Sequence, residues 1–175
     1  MIKWFLAVCV LFGAVAAPSK GEAAARAEEL DVLTRSLKFL QTPPKGDVDL
    51  AVVYDSRSAQ SVSDAKDILN LAAAKTGSGF TLMPRLIDEQ ALDSLDGADL
   101  VLLAAASDGL HAFVFDYARV NKTLVVSLQE TCIDLGLCVM WVKGKPDVRI
   151  VLNRAAAQSV NARFKTTFRM MVQER

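Results

Sequence analysis

Histidine is almost absent from this chain, cysteine is scarce, and no stretch concentrates charge of one sign. Each lack removes a class of function. Lys and Arg number 20 against 20 Asp and Glu, with no basic run among them. A nucleic-acid footprint needs such residues clustered on one face, so the chain lacks that partner class and, equally, a polybasic membrane-surface segment. His111 is the sole histidine, with Asp108 three residues upstream. A Ser-His-Asp set would need a serine on a nucleophile elbow, and no Gly-x-Ser-x-Gly occurs. His111 therefore reads as a capping or surface residue. The glycine fingerprint of nucleotide sites is also missing. No catalytic residue, metal or cofactor is expected, and the chain reads as something other than an enzyme.

What is present begins with an export signature. Met1-Ile2-Lys3 supplies a positive charge, Trp4–Ala17 is a nearly unbroken apolar run, and small residues follow at Ala14-Val15-Ala16-Ala17 and Ala23-Ala24-Ala25. That is the anatomy of a secretory signal peptide. The run falls short of the roughly 20 residues a spanning helix needs, so an uncleaved anchor is the lesser reading, and no span is expected once the leader is removed. Cleavage after Ala16 or after Ala25 both fit. The second divides the chain into a leader, 1–25, and one domain, 26–175, a normal size for a single fold. Just over half of the residues are apolar, ample for one core.

Cys9 leaves with the leader, so Cys132 and Cys138 remain as a pair. In the periplasm, an oxidising compartment, they read as a disulfide closing a small loop, with a stabilisation of about 2 kcal/mol on the chain-entropy model. A redox or metal site is the other reading. Redox enzymes favour Cys-x-x-Cys, and zinc would need two more ligands where only His111 is on offer.

Periodicity supplies the fold. Glu28–Gln41 carries Leu30, Leu33, Leu37 and Leu40 on one helical stripe and ends before Pro43-Pro44. Val48–Tyr54, Leu100–Ala104 and Thr123–Leu128 are continuous apolar runs, as in strands covered on both faces, and Phe80–Met83 alternates like an edge strand. Between them lie a helix opened by Ser61-Val62-Ser63-Asp64, with Val62, Ala65, Ile68, Leu69 and Ala72 inward and stopped by Gly77-Ser78-Gly79, a short helix over Glu89–Leu95, and a helix capped by Ser107-Asp108 with Leu110, Phe113, Val114 and Tyr117 inward. Repeated strand–helix–strand units predict an α/β fold: a mostly parallel sheet of flavodoxin-like layout, order 2-1-3-4 over these four strands, with helices on both faces. Val139–Lys143 and Asp147–Leu152 alternate, placing Val148, Ile150 and Leu152 together, and predict an antiparallel hairpin with one solvated face at the far side of the sheet. Asn153 caps a closing helix running from Arg154 toward Met171, with Ala156, Val160, Phe164, Phe168 and Met171 inward and Asn161 as an interruption.

Two candidate sites follow. Asp55-Ser56-Arg57-Ser58 leaves the first buried strand and enters a helix, where open α/β sheets hold ligands; serine hydroxyls, an arginine and helix N–H groups there suit a small anion, and ordinary capping is the plainer reading. Met140, Trp141, Phe168, Met170 and Met171 exceed what a hairpin and helix need to cover a core. Trp and Met are favoured at protein contacts; packing is again the plainer reading.

The hairpin with Gly144, the run Arg149–Asn153 including Leu152 and Asn153, the alanines around Ala156, and the apolar positions near Phe164 and Phe168 resemble the closing motif of YfiR-like (HmsC-like) periplasmic proteins. Leu37–Leu40 before Pro43 and the strands at Leu100–Ser107 and Leu124–Ser127 are similar to further parts of that family, and Cys132 and Cys138 sit where some members carry a bridge. The resemblance implies a periplasmic repressor that binds the sensor domain of an inner-membrane diguanylate cyclase, restraining cyclic di-GMP signalling and biofilm formation. Self-association as a homodimer stays open. The alternative is a periplasmic small-ligand binding module for a solute or anion.

Overall fold

The computed structural model describes residues 20–73, 75–77 and 79–175; the apolar run Trp4–Ala17, expected to be a signal peptide, and Cys9 lie outside the described residues. The first helix, α1 (Lys20–Leu37), starts earlier than its leucine stripe and ends sooner. Leu30, Leu33 and Leu37 are buried, whereas Leu40 has left the helix to bridge Phe164. Phe39 stacks on Phe168 with ring centroids 4.7 Å apart. A tertiary aromatic contact, gained before either proline is reached, therefore sets the helix end.

β1 (Gly46–Tyr54) is covered along Leu50–Val53, as its unbroken apolar run requires. In α2 (Ala59–Ala72) the cap is Ser58, whose hydroxyl accepts the Ser61 N–H. Ser61, expected to open the helix, is instead buried inside it and accepts the Asp55 N–H. Val62 and Leu69 are only half-buried beside the inward residues Ala65, Ile68 and Ala72.

β2 (Thr76–Gly77) pairs antiparallel with the start of β3 (Phe80–Asp88), leaving β3 near an edge as its alternation implied. That edge explains a proline inside a nine-residue strand. The Leu82 N–H points away from β1 and donates to Lys75 O at 3.3 Å, and Pro84 occupies the next outward position. There the missing N–H costs no bond to β1. A 3₁₀ segment, Glu89–Leu95, follows with Asp88 as its cap.

β4 (Leu100–Leu103) and β5 (Leu124–Ser127) are buried throughout. Between them, α3 (His111–Asn121) turns inward His111, Val114 and Ala118, after the buried Leu110. Phe113, expected inside, is half exposed, and His111 takes an inward place instead. A short 3₁₀ turn over Asp108–Leu110 precedes α3 and rotates the apolar face relative to one unbroken helix.

α4 (Glu130–Asp134) leads to the hairpin of β6 (Met140–Lys143) and β7 (Arg149–Leu152). α5 (Arg154–Ser159) and α6 (Thr166–Arg169) replace the single closing helix, because Asn161 adopts a left-handed φ of 58° between them. Ala156, Val160, Phe164 and Phe168 are buried as expected, while Met171 is exposed. β8 (Gln173–Glu174) closes the sheet beside β7.

The strand order is β2-β3-β1-β4-β5-β6-β7-β8. β3, β1, β4, β5 and β6 run parallel, so the expected 2-1-3-4 core and the far-side hairpin are both present. The crossover through α2 moves one way along the sheet and that through α3 the other. Right-handed connections consequently put these helices on opposite faces. α1 packs on α2 and β6, and Met140, Trp141 and Val142 are all buried, so β6 lacks the solvated face that the alternation suggested, while in the second arm Leu152 is buried, Ile150 half-buried and Val148, expected beside them, exposed. Among the described residues no helix is long and apolar enough to cross a membrane.

Candidate functional site

The sheet changes direction between β1 and β4, and the loops at their carboxyl ends flank the crevice where this architecture holds ligands. The loop after β1 is closed on itself. The Asp55 carboxylate accepts the Arg57 N–H at 2.9 Å and its guanidinium at 3.0 and 2.9 Å. Glu89 accepts the Ser56 N–H at 2.6 Å and hydroxyl at 3.0 Å, and lies 3.4 Å from the Arg57 guanidinium. Ser58 is spent on capping α2. The Tyr54 hydroxyl donates to Asp88 at 3.2 Å.

The electrostatics follow this geometry. Hydrogen bonds from Arg57 hold the Asp55 carboxyl below its ordinary range, and those same bonds raise Arg57. The Gln90 N–H lowers Asp88. Burial, then Asp88, pushes the Tyr54 phenol up. One guanidinium thus faces a loop pair bearing Asp55, Asp88 and Glu89. The groups that suited a small anion are engaged with one another, and the local excess of negative charge repels one.

The β4 side of the crevice is also closed. Asp64 of α2 accepts the Ala105 N–H at 2.6 Å and pairs with Arg26 of α1 at 2.5 Å. Arg26 also binds Glu29 at 2.7 Å. Burial raises Glu29, with Arg26 and the Gly144 N–H opposing. An ion-paired chain therefore joins α1, α2 and the loop after β4.

Cys132 in α4 and Cys138 ahead of β6 are both buried and stand here as free thiols, without the bridge expected from the sequence. The turn between them is held by the Leu137 N–H donating to Cys132 O at 3.0 Å. Burial, and then the neighbouring Cys132, push the Cys138 thiol far up, which favours its protonated form.

Of the candidate partner surface, Met140 (0 % exposed), Trp141 (4 %) and Phe168 (3 %) belong to the core. β6 is flanked by β5 and β7 and covered by α1, which removes Met140, Trp141 and Val142 from solvent. Met170 (75 %) and Met171 (67 %) are exposed. The motif residues are structural. Asn153 accepts the Ala156 N–H at 2.9 Å as the α5 cap, and Leu152 and Ala156 are buried. Gly144 lets the hairpin tip approach α1: a Cβ there would lie 3.2 Å from Glu29 Cγ and 3.3 Å from Ala25 O. Lys145 clamps the tip, donating from its backbone and ammonium to Glu28 at 3.3 and 3.1 Å.

His111 is 1 % exposed, contrary to its reading as a surface or capping residue. Its Nδ1 has no partner among the described residues, and Nε2 lies 3.8 Å from Asp108. Burial lowers its pKa against the opposing pull of Asp108.

One feature had no linear signal. An open groove of about 640 Å³ lies at the amino ends of β1 and β5, lined in part by Gln41, Lys45, Asp47, Lys122, Asn161 and Arg163. These residues come from three separate stretches of chain. Only the positive φ of Lys122 and Asn161 marks them locally, and that is a property of the backbone.

No family model and no curated protein matches the chain. Among solved structures it is similar to a conserved domain protein from Vibrio cholerae O1 biovar El Tor, with a TM-score of 0.59 and 15 % identity. The match covers 85 % of this chain and 59 % of that one, so the chain spans about three fifths of its neighbour's length. At this identity the likeness establishes the α/β fold.

Proposed function

We propose that the protein is an exported, periplasmic regulator that works by binding another protein, an inner-membrane diguanylate cyclase by the YfiR-like resemblance, and so restrains cyclic di-GMP synthesis. The observation that carries this reading is that the polar groups at the crevice are paired with one another. At the position where an α/β sheet holds a small ligand, Arg57 is neutralised by Asp55 and Glu89, and the Ala105 N–H is taken by Asp64. Recognition then falls to the surface, where Met170 and Met171 stand exposed together beyond α6. Flexible, polarizable methionines suit a protein contact. The test is crosslinked affinity capture from intact cells, with cyclic di-GMP measured in a deletion strain. The expected result is one inner-membrane cyclase and a raised nucleotide level. Repeated capture without a cyclase, together with an unchanged level, rejects the proposal.

A second reading, a solute-binding module, is favoured by the groove beside Lys45, Lys122 and Arg163, whose volume of about 640 Å³ lies within the range of ligand sites. A ligand binding the native state raises the melting temperature. A thermal-shift screen of anionic envelope metabolites therefore separates the two readings.

A further inference from the structure

Resting on the export reading above, we propose that the leader is cut upstream of Lys20, after Ala16, and that Ala23-Ala24-Ala25 belongs to the mature domain and is no cleavage site. Both alanine-rich segments have the small residues a leader peptidase accepts, and local sequence does not choose between them. The fold does. Ala25 lies inside α1, which runs unbroken over Lys20–Leu37. A cut after Ala25 would take away the carbonyls that accept the N–H groups of residues 26–29 one helical turn later.

Those four residues are the turn on which the hairpin tip rests. Gly144 sits against the Ala25 carbonyl, the Glu28 side chain and the Glu29 side chain. Lys145 is bound to Glu28 through its backbone N–H and its ammonium. Arg26 is largely covered and ion-paired to Asp64 and Glu29, so it ties the same turn to α2. A new α-amino group on Arg26 would add positive charge at the positive end of a helix. Glu28 and Glu29, which would otherwise suit a helix start, are already committed to Lys145 and Arg26. A cut after Ala16 leaves the whole of α1 intact.

The experiment is intact-mass and N-terminal sequence analysis of the chain recovered from fractionated cells expressing the full sequence. A periplasmic form beginning at Ala17 is the expected result. A periplasmic form beginning at Arg26 overturns the inference and leaves export standing, as does an uncut form held in the membrane. A full-length form confined to the cytosol overturns the export reading itself. As a second measurement, Ala25→Leu should leave processing unchanged, with the mature mass altered by the substitution alone. Ala25 is exposed, so the larger side chain has room. Loss of processing in this variant would also overturn the inference.

Discussion

Replacing Gly144 by alanine adds one methyl group at the point where the hairpin tip meets α1. Gly144 does not have a positive φ, so alanine brings no intrinsic backbone strain. Restricting the unfolded chain would even favour the variant by about 0.4–1 kcal/mol. Against that gain stand three contacts: 3.2 Å to Glu29 Cγ, 3.3 Å to Glu28 Cβ and 3.3 Å to the Ala25 carbonyl oxygen. Glu29 can swing aside only by disturbing its bond to Arg26, and the Ala25 oxygen is backbone inside a helix. Overpacking of this kind costs about 1–3 kcal/mol. The net expectation is a loss of about 0.5–2 kcal/mol, or ~2–4 °C in melting temperature for each kcal/mol in a chain of this size. Gly109→Ala is the internal control, since nothing lies within 4 Å of its added Cβ and its φ is ordinary; it should match or exceed the parent. Urea and thermal unfolding of both variants read the difference. If Gly144→Ala melts at or above the parent while Gly109→Ala behaves as stated, the close approach of hairpin and α1 is refuted.

Asp64→Ala should cost about 2–3 kcal/mol in urea unfolding, because it strips the Ala105 N–H of its acceptor and leaves Arg26 with Glu29 alone; Asp64→Asn, which keeps an acceptor oxygen, should cost less, and equal losses would contradict the assignment. His111 has a folded pKa below its ordinary 6.5 through burial. Its contribution to stability is complete above that value and lost as pH falls toward the folded one, with a slope of up to about 1.4 kcal/mol per pH unit. Glu29, raised from 4.5, acts with the opposite sign, since its protonation favours the native state as pH falls. His111→Leu should therefore flatten the decline of stability below pH 6.5, and an unchanged pH profile would show that the imidazole is not the group responsible. Protein recovered from the periplasm should carry Cys132 and Cys138 linked, two hydrogens lighter by mass, and reduction should lower its stability by about 2 kcal/mol; free thiols in both would end that expectation. Met170→Glu should weaken crosslinked capture of the partner several-fold without shifting the melting temperature, because Met170 is exposed; undiminished capture would remove these methionines from the interface.

Much of the architecture was written in the order of residues. Unbroken apolar runs such as Leu100–Leu103 and Leu124–Ser127, too short for helices, read as strands buried on both faces, and short helical links between them favour a parallel sheet with its direction change after β1. Asn153 was readable as a cap because a side-chain acceptor reaching three residues on is a local event. The interruption at Asn161 was readable for a similar reason, since asparagine tolerates the left-handed backbone.

The remainder depended on residues far apart in the chain. Trp141 and Met140 fit either a partner surface or the core until α1, more than a hundred residues earlier, is laid over β6. His111 looks exposed until the 3₁₀ turn before it rotates α3 and carries it inward. Arg57 looks free to bind an anion until Glu89, contributed after β3, is brought to its side. Periodicity and caps are set by neighbours a few positions away, so they survive in the sequence alone. Burial and charge neutralisation are set by whichever elements the sheet makes adjacent, and only the folded arrangement decides those.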